Sequence, residues 1–253
     1  MSKRSLEKLC IWQGKAAILP GIGIFYGKSG DNCEHKHWAH QLSIGLKGEI
    51  EVARGASLIT DTALFIPADS PHRLSPGKIL SLYLDPNTVI AKTLAETIDI
   101  NSGIVTVPIE LTRLVHRCFT GELSLEAGVL LFQQMLGTPE SSGQNERLAI
   151  VMEKLQNILT LGTDVDRLEL AKLTNLSPSR FSHWFKEETG MPLRRYRKWL
   201  HLMRSISVAL KGESLSAAAH DAQFADQAHF TRTFKEAFGV TPSLALSALR
   251  MMK

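Results

Sequence analysis

Two groups of side chains in this 253-residue chain have types and spacings that could do chemistry. His35, His37 and Gln41 recur at even intervals. On an extended strand they would share one face, with Trp38 and His40 on the other. Histidines with an amide could ligate a divalent transition metal, line a polar pocket for a small molecule, or serve only as structural or surface residues. The second group is helical in spacing. Ser179, Ser182, His183 and Lys186 fall at i, i+3, i+4 and i+7, and Ala228, Thr231, Arg232 and Lys235 repeat that pattern. A polar and basic stripe of this kind suits insertion into a DNA major groove, and the Arg232 fork can pair with guanine. One such stripe would read most simply as the solvated face of an amphipathic helix. Two copies at a fixed offset argue against that simpler reading.

The copies belong to a longer repeat. Phe181, Phe185, Lys186, Glu187 and Gly190 recur 49 residues later as Phe230, Phe234, Lys235, Glu236 and Gly239. In the same frame Ser177 faces Asp226, Ser182 faces Thr231 and His183 faces Arg232. Self-similarity of this kind means one supersecondary unit used twice. Asp166 and Glu169 have capping-box spacing, with Val165 and Leu170 placed as a hydrophobic staple. A short helix then runs to Thr174, and Asn175 supplies a residue that tolerates the left-handed conformation of a sharp turn. Ser177 caps the next helix, Pro178 takes its first position, and Gly190 ends it. Phe181, Trp184 and Phe185 form its core side. A short helix, a tight turn and a second helix make a helix-turn-helix. Pro192 opens a longer helix to about Leu210, with Tyr196, Trp199, Leu200, Met203 and Leu210 as its apolar side. It would span roughly 28 Å, enough to hold two reading heads near the ~34 Å spacing of successive major-groove faces. Arg194, Arg195, Arg197, Lys198 and Arg204 on or beside it are expected to supply phosphate contacts, some of them being ordinary solvated charges.

The rest of the chain reads differently. LSIGLKGEIEVARG, GIGIFYG, ALFIPA and ILSLYL are short apolar or alternating runs bounded by turn residues, the pattern of a sandwich or barrel. The period turns helical after Pro108, with Leu111, Leu114, Val115, Cys118 and Phe119 up to Gly121, and a second helix is expected over Leu125 to Leu136. The polar, Gly- and Ser-rich segment 137–145 reads as a linker, followed by a helix over about Glu146–Leu161. Charge divides at the same place. Residues 1–145 carry 13 Lys+Arg against 14 Asp+Glu, and residues 146–253 carry 16 against 11. A near-neutral half joined to a basic half suggests a polyanion-binding module attached to something else. Three well-separated cysteines, Cys10, Cys33 and Cys118, give no disulfide framework or zinc motif and fit a reducing cytosol. No apolar run reaches the roughly 18 residues of a membrane span, and the N-terminus lacks a signal-peptide apolar stretch.

LAKLTNLSPSRFSHWFKEETGMPLRRYRKWLHLMR, and then DQAHFTRTFKEAFGVTPS, resemble the AraC/XylS family of bacterial transcription regulators over residues 146–243, most specifically in the FxRxFKxxFGxTPS stretch from Phe230 to Ser243. The resemblance implies two helix-turn-helix units joined by a linker helix, both placed in the major groove of one face of double-stranded operator DNA. By position, Ser179, Ser182, His183, Gln227 and Arg232 become the base-reading set. Arg180, Lys186, Arg195, Lys198, Ala228, Thr231 and Lys235 complete the expected interface. Two departures fall in the second unit. Gln223-Phe224 stands where the family has Gly-Phe, and Ala218 where it has a larger aliphatic. A non-Gly residue at positive φ costs on the order of 1 kcal/mol.

The first half fits the usual partner of such a domain, a cupin-like sensory barrel. His35-Lys-His37, Gln41 and Gly48 match a first cupin motif with Gln for Glu, and Pro67-Ala-Asp69-Ser-Pro-His72 resembles the second. His35, His37, Gln41 and His72 are therefore expected to line an effector pocket. No metal or other cofactor is expected, although His35, His37 and His72 are the set that could hold an ion. The fold class expected is α+β in two domains. A cupin-like β-barrel occupies 1–108, a helical dimerisation segment 109–136, a linker 137–145, and an all-α domain with two helix-turn-helix units 146–253. The expected function is that of a cytoplasmic, homodimeric, sequence-specific regulator, more often an activator. It would work with RNA polymerase and an unidentified small effector, away from membranes and without catalysis. A metal-dependent cupin oxygenase or isomerase is the alternative. It would leave the double helix-turn-helix unexplained and would lack the acidic ligand that Gln41 replaces. A third reading is a DNA-binding protein that senses nothing and is controlled by its abundance.

Overall fold

The computed structural model describes residues 12–98, 103–121, 123–137 and 145–252. They form two compact units, one of residues 1–140 with 231–253 and the other of residues 141–230. The first unit holds strands β1 (Gln13–Leu19), β2 (Ile22–Lys28), β3 (His40–Gly45), β4 (Ile50–Arg54), β5 (Ser57–Asp61), β6 (Ala63–Ile66), β7 (Arg73–Leu74) and β8 (Lys78–Leu84). Helix α1 (Val89–Thr97), β9 (Val105–Thr106), α2 (Ile109–Phe119) and α3 (Leu125–Leu136) follow. The second unit holds α4 (Glu146–Leu161), α5 (Arg167–Leu173), α6 (Pro178–Thr189), α7 (Leu193–Leu210) and α8 (Leu215–Asp221). The division falls within α9 (Gln227–Phe238), after Phe230, and α10 (Pro242–Leu246) and β10 (Leu249–Met251) count with the first unit.

The strands pair into a seven-stranded sheet, β10-β1-β2-β8-β3-β6-β9, and a three-stranded one, β5-β4-β7. Register decides what each face of the large sheet carries. Leu42 pairs with Leu82 and Ile44 with Leu80, while Gln41 pairs with Tyr83 and Ser43 with Ser81. Because side chains alternate, the leucines and the polar residues leave by opposite faces. The apolar face builds the core with Ile90 and Leu94 of α1, Leu111, Val115 and Phe119 of α2, and Phe132 of α3. Helices α2 and α3 approach closely at Gly128, where a Cβ would lie 2.3 Å from the Cys118 carbonyl oxygen. The opposite face is left with buried polar side chains, which have to find partners among themselves.

The expected short strands and both helices after Pro108 are present. The sequence reading lacks α1, whose start is marked by Thr88 accepting a hydrogen bond from the Ala91 N–H at 3.2 Å. Of the expected linker, Gly137 ends α3 with φ 79° and Asn145 caps α4; residues 138–144 lie outside the described residues. Among the described residues no helix is long and apolar enough to cross a membrane.

Candidate nucleic-acid interface and a buried histidine cluster

Each helix-turn-helix is built by the same local rules. Asn175 (φ 53°) and Gln223 (φ 57°) are the left-handed residues that end α5 and α8. The next amides, of Leu176 and Phe224, reach back to the Ala171 and Ala219 carbonyls at 3.0 and 2.9 Å, closing a Schellman turn in each copy. These pairs are 48 residues apart, whereas the helices after the turn are 49 apart. The second turn therefore holds one extra residue before its cap. Ser177 caps α6 through the Arg180 amide at 3.4 Å, and Asp226 caps α9 through the His229 amide at 2.6 Å. Gly190 and Gly239 end those helices with φ 72° and 68°. The strain expected at Gln223 is present, offset by a 2.9 Å hydrogen bond from its Nε2 to the Gly162 carbonyl. The capping box expected at Asp166 is not formed. Asp166 occupies the N-cap but its side chain makes no capping bond, and Glu169 instead pairs with Lys154 of α4 at 2.9 Å.

The core sides are as expected, with Phe181, Phe185, Phe230 and Phe234 buried and Trp184 half-buried. On the stripes Ser179, Arg180, His183 and Lys186 of α6 are exposed, as are Gln227, Ala228, Arg232 and Lys235 of α9. Ser182 and Thr231 are half-buried, and the Ser182 hydroxyl donates to the Pro178 carbonyl at 3.0 Å. Arg195 and Lys198 are exposed and border a concavity of about 600 Å³ together with Arg194, Phe224 and His229. Arg197 and Arg204, expected at phosphates, are instead tied within the unit. Arg197 forms a two-pronged pair with Asp164, and Arg204 pairs with Asp221 while donating to the Leu159 and Thr160 carbonyls at 3.1 and 3.0 Å. Burial would raise the Asp164 carboxyl, but the hydrogen bonds and charge of Arg197 outweigh it and hold the group below its ordinary value.

In the first unit His35, His37, Gln41 and His72 come together. The route differs from the expected strand alternation, because β3 begins only at His40. His35 instead pairs main chain to main chain with His72, each amide donating to the other's carbonyl at 2.9 Å. The His35 and His72 rings are 4.4 Å apart, and the His37 ring lies 5.2 Å from that of His72. One ring nitrogen from each of the three histidines lies within 4.8 Å of the others. The His37 and His72 Nε2 atoms are 3.0 and 3.2 Å from Gln41 Oε1. Gln41 Nε2 donates to Ser43 Oγ at 2.8 Å, and that hydroxyl lies 2.7 Å from Ser81 Oγ. Burial, with the nearby His37, pushes His35 down to about 4, and burial drives His72 and His37 down as well. The cluster is therefore uncharged at neutral pH. His40 stands apart, its Nδ1 accepting from the Ala68 amide at 3.0 Å.

Sequence reasoning missed four members of this neighbourhood. Ser43, Ser81 and Tyr83 arrive by strand register. Phe238 arrives from α9, its ring 6.1 Å from that of His37 and 5.8 Å from that of Tyr83. The alternation Gln41–Ser43 opposite Ser81–Tyr83 was a usable signal for the first three; nothing local pointed to Phe238.

Comparison with known proteins agrees with this geometry. A family model described as a helix-turn-helix domain matches residues 170–247. The chain is 25% identical over 222 residues to YobQ of Bacillus subtilis, an uncharacterized HTH-type transcriptional regulator, covering 85% of this chain and 89% of that protein. Among solved structures it resembles ToxT of Vibrio cholerae, with a TM-score of 0.53 at 12% identity over 90% of this chain and 96% of that one. An unsaturated-fatty-acid-bound ToxT gives a TM-score of 0.52 at 12% identity, covering 90% of this chain and 94% of that one. At that identity the likeness speaks for the fold.

Proposed function

We propose that the chain is a DNA-binding transcription regulator of the AraC type, in which α6 and α9 read operator bases while the first unit senses a small effector; the helix-turn-helix match over residues 170–247 and the likeness to an HTH-type regulator support this reading. The observation that carries the proposal is the duplicated reading helix. Each copy stands behind a capped, left-handed turn and presents a polar stripe, with exposed Ser179 and His183 and half-buried Ser182 on one and exposed Gln227 and Arg232 on the other. Arg195 and Lys198 on α7, with Arg180, Lys186 and Lys235, hold the sugar-phosphate backbone and fix register. The effector site is the cluster of His35, His37, Gln41 and His72, a buried polar patch on a sheet whose other face is fully committed to the core. That ToxT, a protein of similar fold, has been crystallised with an unsaturated fatty acid bound supports a small-molecule effector for this chain.

Three finer features complete the reading. The protein acts in the cytoplasm as an activator that engages RNA polymerase. It works as a homodimer through α2 and α3, where Leu130, on the side of α3 away from buried Gly128 and Phe132, is 59% exposed, and Met135 in the last turn is 58% exposed. It performs no catalysis. The test is selection of bound sequences from a random DNA pool by the full chain, followed by footprinting. The expected result is one consensus with two protected major-groove segments about one helical turn apart. Enrichment of no consensus would overturn the proposal.

A further inference from the structure

Arg197, His201 and Arg204 of α7 fall at i, i+4 and i+7 and share one face of that helix. All three turn to the short segment 159–164, which ends α4 and leads to α5. Arg197 and His201 face Asp164. Arg204, with a side chain only 14% exposed, donates through Nη1 to the Leu159 and Thr160 carbonyls. These belong to the last turn of α4, whose carbonyls have no partner within the helix. The other donors of the same guanidinium, Nε and Nη2, take the two oxygens of Asp221 at 2.5 and 3.1 Å. Asp221 is the last residue of α8, the first helix of the second helix-turn-helix. One side chain thus joins the end of α4 to the end of α8. What holds α4 also holds the first helix-turn-helix, because Lys154 of α4 pairs with Glu169 of α5 at 2.9 Å.

A second tie joins the same two places without passing through α7. Gln223 is the left-handed residue of the second turn, and its Nε2 donates to the Gly162 carbonyl, 61 residues away in sequence, at 2.9 Å. Gly162 is itself left-handed at the end of α4, and a Cβ on it would stand 3.5 Å from the Asp221 carbonyl oxygen. The two helix ends therefore meet almost backbone to backbone. Glycine at 223 would take the positive φ without strain and would have no side chain to reach Gly162. The residue that is costly for the turn is the one that makes the tie.

We infer that Gln223 and Arg204 are positioning residues for operator recognition: they fix the separation and angle between α6 and the start of α9, so that the protein selects operators by the spacing of their two half-sites. The inference rests on the reading that both helices contact DNA. Joined through α7 alone, each helix-turn-helix could pivot about one end of that helix. Two lateral ties between them remove the freedom. One base pair inserted between two sites on B-DNA turns the second by about 34–36° and carries it about 3.4 Å along the axis. A tied pair cannot follow that displacement, whereas a pair joined only by α7 can follow part of it.

The test uses the full chain, the DNA sequence it selects, and versions of that DNA with one base pair inserted or deleted between the two protected segments. The insertion should weaken wild-type binding at least about tenfold and Gln223→Gly binding less than about threefold, each relative to the same protein on the unaltered sequence. Gln223→Gly relieves the left-handed strain, so the variant is expected to fold. Arg204→Met keeps the buried stem without the donors and should behave as Gln223→Gly does; if it fails to fold, Gln223→Gly decides alone. A folded Arg204→Met with the wild-type ratio removes Arg204 from the set. A wild type indifferent to spacing overturns the inference, as does a Gln223→Gly protein that keeps the wild-type ratio or loses affinity equally at every spacing. A second readout needs no DNA. Spin labels at Ser179→Cys and Gln227→Cys, with Cys10→Ser, Cys33→Ser and Cys118→Ala, report the distance between α6 and the start of α9. Its distribution should widen at least about twofold on adding Gln223→Gly, and an unchanged width overturns the tie. Failure of the full chain to select any sequence would count against the regulator reading instead, and the label widths would still decide the tie.

Discussion

Arg197 and Lys198 are neighbours on α7 with opposite expected roles, and replacing each with Ala separates them. Arg197 holds Asp164 through two donors, and the two side chains are only 28% and 22% exposed. His201 Nε2 lies 3.5 Å from the same carboxylate, which also accepts from the Val165 amide at 2.8 Å. Breaking a fully buried pair from one side costs about 3–5 kcal/mol, while an exposed pair contributes about 0–1 kcal/mol. At this partial burial Arg197→Ala should cost about 2 kcal/mol. With an m-value near 2 kcal/mol/M, the urea midpoint of the unit should fall by about 1 M. Its DNA affinity, measured by anisotropy on folded protein, should keep the wild-type slope of log K against log salt. Lys198→Ala, at an exposed position, should instead reduce that slope by about one unit. The Arg197 effect also has a pH signature. Asp164 titrates lower folded than unfolded, so the pair's stabilisation is complete above the ordinary carboxylate value of 3.8 and is lost as pH falls through the lower folded value. The gap between wild type and Arg197→Ala should accordingly be full at pH 7 and close in acid. An Arg197→Ala protein of undiminished stability with a reduced salt slope would refute this division of labour.

Gly128→Ala should destabilise the first unit by about 1–3 kcal/mol in urea, because the added methyl meets the Cys118 carbonyl and α2 and α3 must separate. Phe185→Ala, in a fully buried position of α6, should cost about 3–5 kcal/mol and abolish operator binding, with unfolding followed by circular dichroism. Leu130→Asp on the exposed side of α3 should leave stability within about 0.5 kcal/mol and shift the sedimenting species from dimer to monomer. An unchanged dimer would remove α3 from the interface.

The second half was the more legible part of the sequence, because its signals are local. Ser177, Pro178, Asn175 and Gly190 each encode a cap or a turn within a few residues, and the repeat then carried the reading to Gln223 and Gly239. Where the local rule failed, a distant partner had won. Glu169 is drawn to Lys154 on α4 instead of closing the Asp166 box, and Arg197 and Arg204 are held by acids from other segments. The histidine cluster was legible as a set of residues but not as a geometry. His35 and His72 meet through an isolated main-chain bridge between two loops, and Ser43, Ser81 and Tyr83 enter only once β3 is paired with β8. The Cys33 amide donates to the Gly239 carbonyl at 2.8 Å, a contact between residues about two hundred apart in sequence, beyond the reach of any local pattern.

The central claim is that both duplicated helices read bases, and a binding series over all single-base variants of the selected operator, at two salt concentrations, tests it most directly. Arg232 is exposed on the stripe of α9 and His183 occupies the equivalent place on α6. Arg232→Ala should cost about 1–3 kcal/mol on the cognate sequence and erase the preference at one base position. His183→Ala should relax a different position, in the segment bound by the first unit of the repeat. Profiles that are shifted in affinity but unchanged in base preference for both variants would contradict the account.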